Sequence, residues 1–344
     1  MLAVMKEKPA PGLALREVPA PALGAGEVLV KVHYASICGT DMLIHNWAPW
    51  AANRMKPPVI IGHEFAGEVV ENGPGVDGMR PGTRVSAESH FFCGKCPQCR
   101  TGRPEICREL KIMGVDKDGA FAEYVAIPAK NLWMNHPDIP DQVATLQEPL
   151  GNALDTLLAE DVAGKRILIT GAGPIGLMCA ALARACGASR IMISDPNEYR
   201  LSLAGTLGAD IVLNPKVTPL QGPVLTATAG EGVDVLLEVS GNPDALTEAL
   251  PLVTPGGRVS LLGIFRTPVP VKLTEDVIFR KLRIYGITGR GIFSTWQTLS
   301  RLLSSRRLDI SQLITHELPL EDFQKGFDLM GTGRCGKVLF KING

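Results

Sequence analysis

The sequence predicts an α/β protein of two domains, an irregular β-barrel and a doubly wound parallel sheet. Its 344 residues exceed the length at which one hydrophobic core usually stops growing. Short β-like segments separated by Pro and Gly fill the first 140 residues or so, and helices alternate with apolar strands from about Leu146 onward. The change of pattern near residue 150 marks the predicted division.

Alternation of apolar and polar residues predicts the strands of the barrel. Over residues 27–34, valines at positions 28, 30 and 32 alternate with other residues, as in a strand with one face on a core. Turn-forming clusters separate further short runs at 59–61, 65–71, 84–86 and 121–127. Such a series is typical of an irregular barrel rather than of a flat sheet.

Six apolar segments predict the parallel sheet of the second domain. They cover residues 167–170, 191–194, 211–214, 233–239, 259–264 and 283–287, with helical segments between them. After Gly289, a helix carrying Trp296 and a strand over 337–342 are expected to return to the first domain. The predicted domains are therefore 1–150 with 291–344, and 151–290.

The segment 167–195 has the pattern of a dinucleotide-binding turn. An apolar strand stops at Gly171-Ala-Gly173-Pro-Ile-Gly176, and a helix rich in small residues follows. Gly171 lets the chain turn, Gly173 lets the backbone approach a pyrophosphate, and Gly176 lets the helix pack closely on the strand. Free amides at the helix N-terminus would bind the pyrophosphate. The alternative is a tight strand–helix turn that binds no nucleotide.

Asp195, at the end of the next strand, favours NAD as the cofactor. It lies 19 residues after Gly176, where a carboxylate is placed to accept hydrogen bonds from an adenosine ribose. Its negative charge would repel the 2′-phosphate of NADP. Because strand, glycine turn, helix, strand and acid follow in order, dinucleotide binding is the favoured interpretation.

Composition excludes several classes of partner. Thirty-five basic residues balance 35 acidic ones without a prominent Lys/Arg cluster, so we expect no nucleic-acid partner. The N-terminal stretch has no apolar signal core, and no uninterrupted apolar run approaches the roughly 20 residues of a membrane span. We therefore expect a soluble, cytoplasmic protein with no membrane partner.

A lobe over residues 90–110 predicts a structural metal site. Four of the eight cysteines fall within fifteen residues, as Cys93-x2-Cys96-x2-Cys99-x7-Cys107. Crowded thiols in a chain large enough to fold without disulfides favour a metal. Four thiolates can close a tetrahedron around zinc and leave no open position. The alternatives are free thiols or an iron–sulfur cluster, and no electron-transfer context accompanies the lobe.

A second group of candidate metal ligands is dispersed along the first 150 residues. It consists of the thiol of Cys38, the imidazole of His63 and the carboxylates of Glu64 and Glu148. A fold that joins thiolate, imidazole and carboxylate can hold zinc and keep one position open for water or substrate. Taken singly, each of these signals is weak, and a lone His or Cys is more often packed in the core than metal-bound.

Resemblance to a known family strengthens this second group. The chain resembles the zinc-dependent medium-chain dehydrogenases over nearly its whole length, in the four-cysteine lobe, the glycine turn and the motifs Ser36-Ile-Cys38-Gly-Thr40-Asp, Gly62-His63-Glu64, Glu88-Ser-His90, Gly114-Val-Asp116, Leu146-Gln-Glu148-Pro-Leu-Gly-Asn152 and Gly286-Ile-Thr-Gly-Arg290 before Trp296. The resemblance implies a GroES-like catalytic domain interrupted by a Rossmann domain, with the active site in the cleft between them. It also implies a homotetramer.

The resemblance implies roles for individual residues. Cys38, His63 and Glu64 are expected to hold a catalytic zinc. Glu148 is expected beside it, as an exchanging ligand or a proton-relay group. The family pattern lines the NAD site with Ile175, Asp195, Arg200, Leu262, Gly263, Ile264, Ile287 and Thr288. For Arg200, the alternative to this role is a solvated side chain at the surface.

Zinc and NAD together predict a dehydrogenase. Zinc stabilises an alkoxide, hydride passes to the nicotinamide, and Thr40 is expected to relay the hydroxyl proton. The resemblance implies L-threonine as the small-molecule substrate, with 2-amino-3-oxobutanoate and NADH as products. His90 and Arg290 are expected near the amino acid, with a structural hydrogen bond and a domain-interface ion pair as their respective alternatives. Alternative functions are a polyol or other secondary-alcohol dehydrogenase and a non-catalytic NAD-binding protein.

One departure from the family pattern concerns the proton. Family members usually carry a histidine five residues after the zinc cysteine, and this chain has Leu43 there. His45 can replace that histidine only if the loop is bent differently. Otherwise the proton leaves through Glu148, the NAD ribose or water.

Overall fold

In the computed structural model, residues 1–343 are described and form two compact units, each with its own hydrophobic core. The first unit consists of Met1–Pro149, Gly291–Ser304 and Ile314–Gly344, and the second of Leu150–Arg290 and Ser305–Leu313. No helix within residues 1–343 combines the length and apolar character needed to cross a membrane.

Short strands fill the N-terminal part of the first unit, as the alternating pattern predicts. The strand predicted over 27–34 forms and continues for two more residues, with alternate side chains buried. The strands of this part are β1 (Leu2–Lys6), β2 (Ala14–Glu17), β3 (Glu27–Ser36), β4 (Val59–Ile60), β5 (Glu64–Asn72), β6 (Arg84–Ala87), β7 (His90–Phe91), β8 (Lys111–Ile112), β9 (Tyr124–Pro128) and β10 (Leu132–Met134).

Short helices connect these strands, and the first of them is held at both ends. At its start, the Asp41 carboxylate accepts a hydrogen bond of 2.9 Å from the backbone N–H of Cys38. At its end, the buried Lys6 ammonium donates to the carbonyl of His45. The helices of this part are α1 (Gly39–His45), α2 (Pro49–Arg54), α3 (Pro97–Arg100), α4 (Asp141–Ala144) and the first turn of α5 (Gln147–Leu157), whose residues from Leu150 onward belong to the second unit.

The second unit is the predicted doubly wound sheet. Its strands are all parallel, in the order β13-β12-β11-β14-β15-β16. β15 begins six residues before the predicted position 259, because Val253 already pairs with Val233; regular pairing resumes at Arg258, after the irregular segment that holds the Pro-Gly-Gly turn signal. The elements are β11 (Arg166–Thr170), α6 (Pro174–Ala185), β12 (Arg190–Ser194), α7 (Glu198–Thr206), β13 (Ile211–Leu213), α8 (Gln221–Ala227), β14 (Val233–Glu238), α9 (Pro243–Ala249), β15 (Val253–Leu261) and β16 (Arg283–Gly286).

Most of the C-terminal segment belongs to the first unit, but Ser305–Leu313, which the predicted boundary 291–344 included there, belong to the second. The elements are α10 (Ser294–Ser304), β17 (Ile314–Pro319), α11 (Phe323–Thr332) and β18 (Lys337–Lys341), of which β17 and α11 were not predicted. β18 pairs antiparallel with β3, so that Leu339 lies opposite Ser36. The largest sheet of this unit runs β10-β6-β5-β3-β18-β17, with β9 also paired to β3. The irregular barrel predicted from the sequence is confirmed.

Aromatic side chains fill the centre of the first unit. Phe121 and Phe340 meet edge to face, with 5.1 Å between ring centroids. Gly62 has a φ of +90°, and a β-carbon there would collide with the ring of Phe121. The glycine therefore lets the turn that leads into His63 lie directly on the aromatic core.

Candidate active site

Three predicted metal ligands meet in the first unit, although they come from separate segments. Cys38 precedes α1, His63 precedes β5, and Glu64 begins β5. One donor atom of each lies within 4.8 Å of the donors of the other two. Pairing of Ser36 with Glu64 brings the end of β3 beside the start of β5. Thiol, imidazole and carboxylate at this spacing form a donor set that fits zinc.

The imidazole of His63 lies in a strongly negative environment. Its Nδ1 is 3.7 Å from Asp41 Oδ1, and neither atom has a hydrogen-bond partner among the described residues. Burial opposes the charged imidazolium, but the charges of Asp41 and Cys38 raise the pKa of His63 well above its ordinary value. Burial raises the pKa of Asp41 to about 6. This concentration of buried negative charge suits a bound cation.

The carboxylate of Glu64 is held through one oxygen. Glu64 is fully buried, and its Oε2 accepts hydrogen bonds from Ser36 Oγ and Lys337 Nζ. Its Oε1 has no hydrogen-bond partner within residues 1–343. Oε1 is therefore the oxygen that Glu64 can offer to a metal.

Glu148 lies beside this group rather than within it. It stands in the first turn of α5, is 5% exposed, and accepts a hydrogen bond of 2.6 Å from Ser89 Oγ at Oε1. It is absent from the donor cluster found among the described residues. Burial, which lowers the pKa of His63, and the charges of Asp41 and Cys38, which raise it, have the larger effects. The charge of Glu148 also raises this pKa. The arrangement suits a group that acts next to the metal ligands.

The turn 88–90 is fixed by buried polar groups for which no role was predicted. The Glu88 carboxylate accepts hydrogen bonds from the backbone N–H of His90 (2.9 Å) and from Trp296 Nε1 (3.0 Å). The Asn131 side chain donates to the carbonyls of Glu88 and His90, at 3.0 and 2.9 Å. The turn that carries Ser89 and His90 is therefore fixed from both sides.

His45 does not take the place of the relay histidine that Leu43 replaces. α1 is continuous, and at about 100° per residue Thr40 and His45 lie about 140° apart around its axis. The His45 ring stacks on Phe327 with 5.1 Å between centroids, and its Nδ1 lies 2.9 Å from Asn46 Oδ1. The bent loop that this substitution requires is not formed.

The four cysteines of the lobe also converge. One sulfur of each lies within 4.8 Å of the others, and Cys96 Sγ is 3.5 Å from that of Cys99 and 3.8 Å from that of Cys107. These separations exceed the S–S bond length of about 2.05 Å. All eight cysteines of the chain are unbridged. The four sulfur atoms are therefore close enough together to hold one metal ion, and the structural zinc stays a prediction.

Backbone N–H groups of the lobe point at its sulfur atoms. Cys107 Sγ accepts from the N–H groups of Cys93 and Glu109, each at 3.3 Å. The N–H groups of Cys99 and Arg108 lower the pKa of Cys96 to about 6. Such donors stabilise thiolates, and a closed set of four thiolates fits a structural zinc.

In the second unit, each glycine of the turn has the geometry that its predicted role requires. Gly171 has a φ of +99°, and nothing lies within 4 Å of a β-carbon built on Gly173. A β-carbon on Gly176 would collide with the carbonyl of Gly171. Gly173 precedes α6, which begins with Pro174 and leaves its first amides for a ligand.

A groove of about 570 Å³ lies along the carboxyl edge of this sheet. Asp195 and Arg200 line it, with Arg200 Nη1 4.0 Å from Asp195 Oδ2. Asp195 also fastens the glycine turn, because Oδ2 accepts from the N–H of Ala172 and Oδ1 from that of Asn197, each at 2.8 Å. No sequence pattern indicated this structural role.

The other predicted cofactor residues follow strands of the same sheet. Leu262, Gly263 and Ile264 come after β15, and Ile287 with Thr288 after β16. Ligands of doubly wound sheets bind at this carboxyl edge. Ile175, in the first turn of α6, is half-buried at the same edge.

Glu238 is a further buried residue at this edge that the sequence analysis missed. It ends β14, and its Oε1 accepts from the N–H groups of Ser240 (2.9 Å) and Gly241 (3.0 Å). Its backbone carbonyl accepts from the N–H groups of Leu262 and Gly263. Glu238 therefore fixes the loops after two neighbouring strands.

The side chain of Arg290 is 1% exposed. Its Nη1 donates to Asn152 Oδ1 at 2.9 Å, and its aliphatic part packs on Gly151. Both of these contacts lie within the second unit.

Of the missed residues, only Asp41 has a local sequence signal. It lies three residues after Cys38, the spacing at which a side chain reaches back to the residue that precedes a helix. Glu88, Lys337 and Trp296 are each buried against segments far away in the sequence, and no short motif reveals such a contact.

Comparison with known proteins places the chain among dehydrogenases. The alcohol dehydrogenase GroES-like domain family matches residues 24–140, and the zinc-binding dehydrogenase family matches residues 174–305. The L-threonine 3-dehydrogenase of Pyrococcus furiosus is 51% identical over 343 residues, with 99% of each chain covered.

Two further relatives agree with these matches. The L-threonine 3-dehydrogenase of Bacillus velezensis is 50% identical, with 98% of each chain covered. The solved structure of an alcohol dehydrogenase from Thermus sp. ATN1 has a TM-score of 0.91 at 31% identity and covers 100% of both chains. The chain therefore belongs to the zinc-dependent medium-chain dehydrogenases, within which it groups with the L-threonine 3-dehydrogenases.

Proposed function

We propose that this protein oxidises the secondary hydroxyl of L-threonine with NAD, giving 2-amino-3-oxobutanoate and NADH. One observation carries the proposal: Cys38, His63 and Glu64 meet in one donor group, in a chain that matches an L-threonine 3-dehydrogenase over 99% of its length. A thiol, an imidazole and a carboxylate in one group suit a catalytic zinc, which keeps a position open.

The residues of the first unit have distinct roles in this proposal. When bound, zinc supplies Lewis-acid polarisation of the substrate hydroxyl and NAD supplies the hydride acceptor. Cys38 Sγ, a ring nitrogen of His63 and Glu64 Oε1 hold the metal. Asp41 orients the imidazole of His63 and balances its charge, as carboxylates beside metal-bound histidines generally do.

Proton transfer is assigned to two groups. The Thr40 hydroxyl takes part in removing the substrate proton, but Leu43 cannot carry it further. Glu148 provides the remaining route, because its Oε1 already accepts a short hydrogen bond from Ser89 Oγ. His90 borders this route and is proposed to help position the amino acid.

The proposal includes NAD rather than NADP as the cofactor. Asp195 would accept hydrogen bonds from the ribose while it fastens the turn at Ala172, and a phosphate there would meet its negative charge. Gly171, Gly173 and Gly176 would receive the pyrophosphate. The remaining cofactor contacts are assigned to Ile175, Arg200, Leu262, Gly263, Ile264, Ile287 and Thr288.

Several coarser features complete the proposal. The predicted domain 1–150 with 291–344 carries the catalytic residues, and 151–290 binds NAD. Each chain holds two zinc ions, one at Cys38 and one in the lobe. We propose a homotetramer, supported by the exposed apolar side chains of Ile278, Phe279 and Ile284 along and near the edge strand β16. A cytoplasmic location suits the reduced thiols of the lobe.

A substrate panel followed by NADH absorbance tests this function. With NAD, L-threonine is expected to be oxidised in preference to sorbitol, arabitol and butane-2,3-diol. With NADP, all four substrates are expected to react more slowly than L-threonine does with NAD. Preference for a polyol or for butanediol would overturn the substrate assignment but keep the zinc dehydrogenase. Absence of turnover with the whole panel would indicate a non-catalytic NAD-binding protein.

A further inference from the structure

A buried lysine pairs with one of the proposed zinc ligands. Lys337 begins β18, is 1% exposed, and donates from Nζ to Glu64 Oε2. The same ammonium donates to the carbonyl of Ile37 at 2.8 Å, directly before Cys38. The contact joins residues 273 positions apart in the sequence. The C-terminal strand thus places a positive charge against the metal-ligand group.

The two oxygens of Glu64 have different surroundings. Oε2 accepts from Lys337 and from Ser36, whereas Oε1 is buried and has no hydrogen-bond partner in the described part of the chain. A cation held at Oε1 and the ammonium at Oε2 would therefore compensate the same buried negative charge. When two cations serve one buried carboxylate, each reduces what the other gains by binding there.

We propose that Lys337 is a built-in counter-ion for Glu64 that competes with zinc for the charge of this carboxylate. It stabilises Glu64 when the metal is absent, and it weakens the hold of Glu64 on zinc when the metal is bound. Lys337 acts only through Glu64 and is thus a positioning residue. The proposal rests on the proposed zinc site at Cys38, His63 and Glu64.

The first test measures zinc affinity by competition with a chelator. Replacement Lys337→Met removes the competing cation, so the affinity of the Cys38 site for zinc is expected to rise about tenfold or more. Unchanged or lower affinity would overturn the proposal.

Lys6 offers a matched control for this test. It is also fully buried, but its ammonium is held by the carbonyls of Ala10, Gly12 and His45 instead of a carboxylate. Lys6→Met is therefore not expected to raise zinc affinity. An equal rise in both variants would show a general effect of losing a buried lysine and would contradict the assignment to Glu64.

The second test measures melting temperature with and without the metal site. Lys337→Met is made in the natural sequence and in a Cys38→Ser background, which cannot hold the catalytic zinc. Without zinc, Glu64 is left buried and unpaired, so the loss of melting temperature is expected to be larger in the Cys38→Ser background, by about 5 °C or more. Equal losses would show that Lys337 only fastens β18 and would overturn the proposal.

A milder variant covers the case in which Lys337→Met does not fold. Ser36→Ala removes the other donor to Glu64 Oε2 and is expected to raise zinc affinity in the same direction by a smaller factor. A fall in affinity would contradict the competition.

Zinc content separates failure of this inference from failure of the proposed function. The unmodified protein is expected to hold two zinc ions per chain, and Cys38→Ser one. If this difference is missing, the proposed zinc site fails. If it is present but the Lys337 results go the other way, the counter-ion assignment alone fails.

Discussion

The four-cysteine lobe and the Cys38 group are two metal-ligand sets built in opposite ways. The lobe takes four thiols from fifteen neighbouring residues of a half-exposed loop. The Cys38 group takes a thiol, an imidazole and a carboxylate from two separate segments, and it buries His63 and Glu64. Local spacing is enough to form the first set, whereas the second exists only when β3 and β5 are paired.

The two sets also handle charge differently. In the lobe, backbone N–H groups of neighbouring residues point at the sulfur atoms of Cys93 and Cys107. In the Cys38 group, charged side chains lie next to the ligands: Asp41 of α1 lies beside His63, and Lys337 of β18 pairs with Glu64. A closed site built from one loop can therefore rely on backbone groups of that loop, whereas an open site with buried charged ligands needs charged partners from other parts of the unit.

The largest expected effect concerns the open site. Cys38→Ser should lose one zinc per chain and lower NADH formation from L-threonine by about a thousandfold or more, because Lewis-acid assistance is worth several kcal/mol. Metal analysis and the NADH assay measure both effects, and the zinc of the lobe should remain. Two zinc ions per chain in this variant would contradict the division into two sites.

The second prediction concerns the closed site. Cys96→Ser should also lose one zinc but should mainly lower the melting temperature, by about 5 °C, since a structural metal contributes folding energy directly. Cys186→Ser, which changes a cysteine outside the lobe, is the control and should keep both ions. Unchanged melting and metal content in Cys96→Ser would remove the structural role of the lobe.

A smaller effect is expected from the partner of His63. Asp41→Asn keeps an acceptor for the N–H of Cys38 but removes the charge beside the imidazole, so zinc affinity at this site should fall by about 10- to 100-fold. Asp118→Asn is the control, because Asp118 accepts an N–H from Ile60 and is exposed. If both variants bind zinc with the affinity of the unmodified protein, the zinc affinity of this site does not depend on the charge of Asp41.

The smallest effect is a pH dependence of thiol reactivity in protein stripped of zinc. Neighbouring N–H groups lower the pKa of Cys96 to about 6, so the thiolate persists until the pH falls through about 6. The contribution of this thiolate to the free energy of unfolding is fully present above the ordinary thiol pKa and is lost as the pH falls through about 6. Alkylation of Cys96 should therefore have its midpoint near pH 6. Cys179, whose pKa burial raises to about 12, should stay unreactive. A Cys96 midpoint at an ordinary thiol pKa would contradict this environment.

Most of the fold was predictable because it is encoded in short-range patterns. The glycine turn, the apolar strands and the alternation in β3 each involve residues close in the sequence. The start of β15 was wrong, because Val253 pairs with Val233 ahead of the Pro-Gly-Gly segment, and regular pairing with β14 and β16 resumes only at Arg258. β17 escaped prediction because it has no regular apolar alternation.

The candidate site was predictable as a set of residues but not as an arrangement. Spacing identified the lobe, whereas resemblance was needed to join Cys38 with His63 and Glu64. Even with the ligands named, their partners were not foreseen, because Lys337 and Trp296 reach the site from the far end of the chain.

The two kinds of domain, the nucleotide turn and the cysteine lobe follow from the amino-acid sequence, since each depends on the conformational preferences and spacing of adjacent residues. The folded molecule was needed to show that His45 turns away from Thr40 and that Lys337 meets Glu64. Helix periodicity and sheet pairing set where a side chain points and which distant segment it meets. A buried charge then has to find its partner on whichever segment the packing brings within reach.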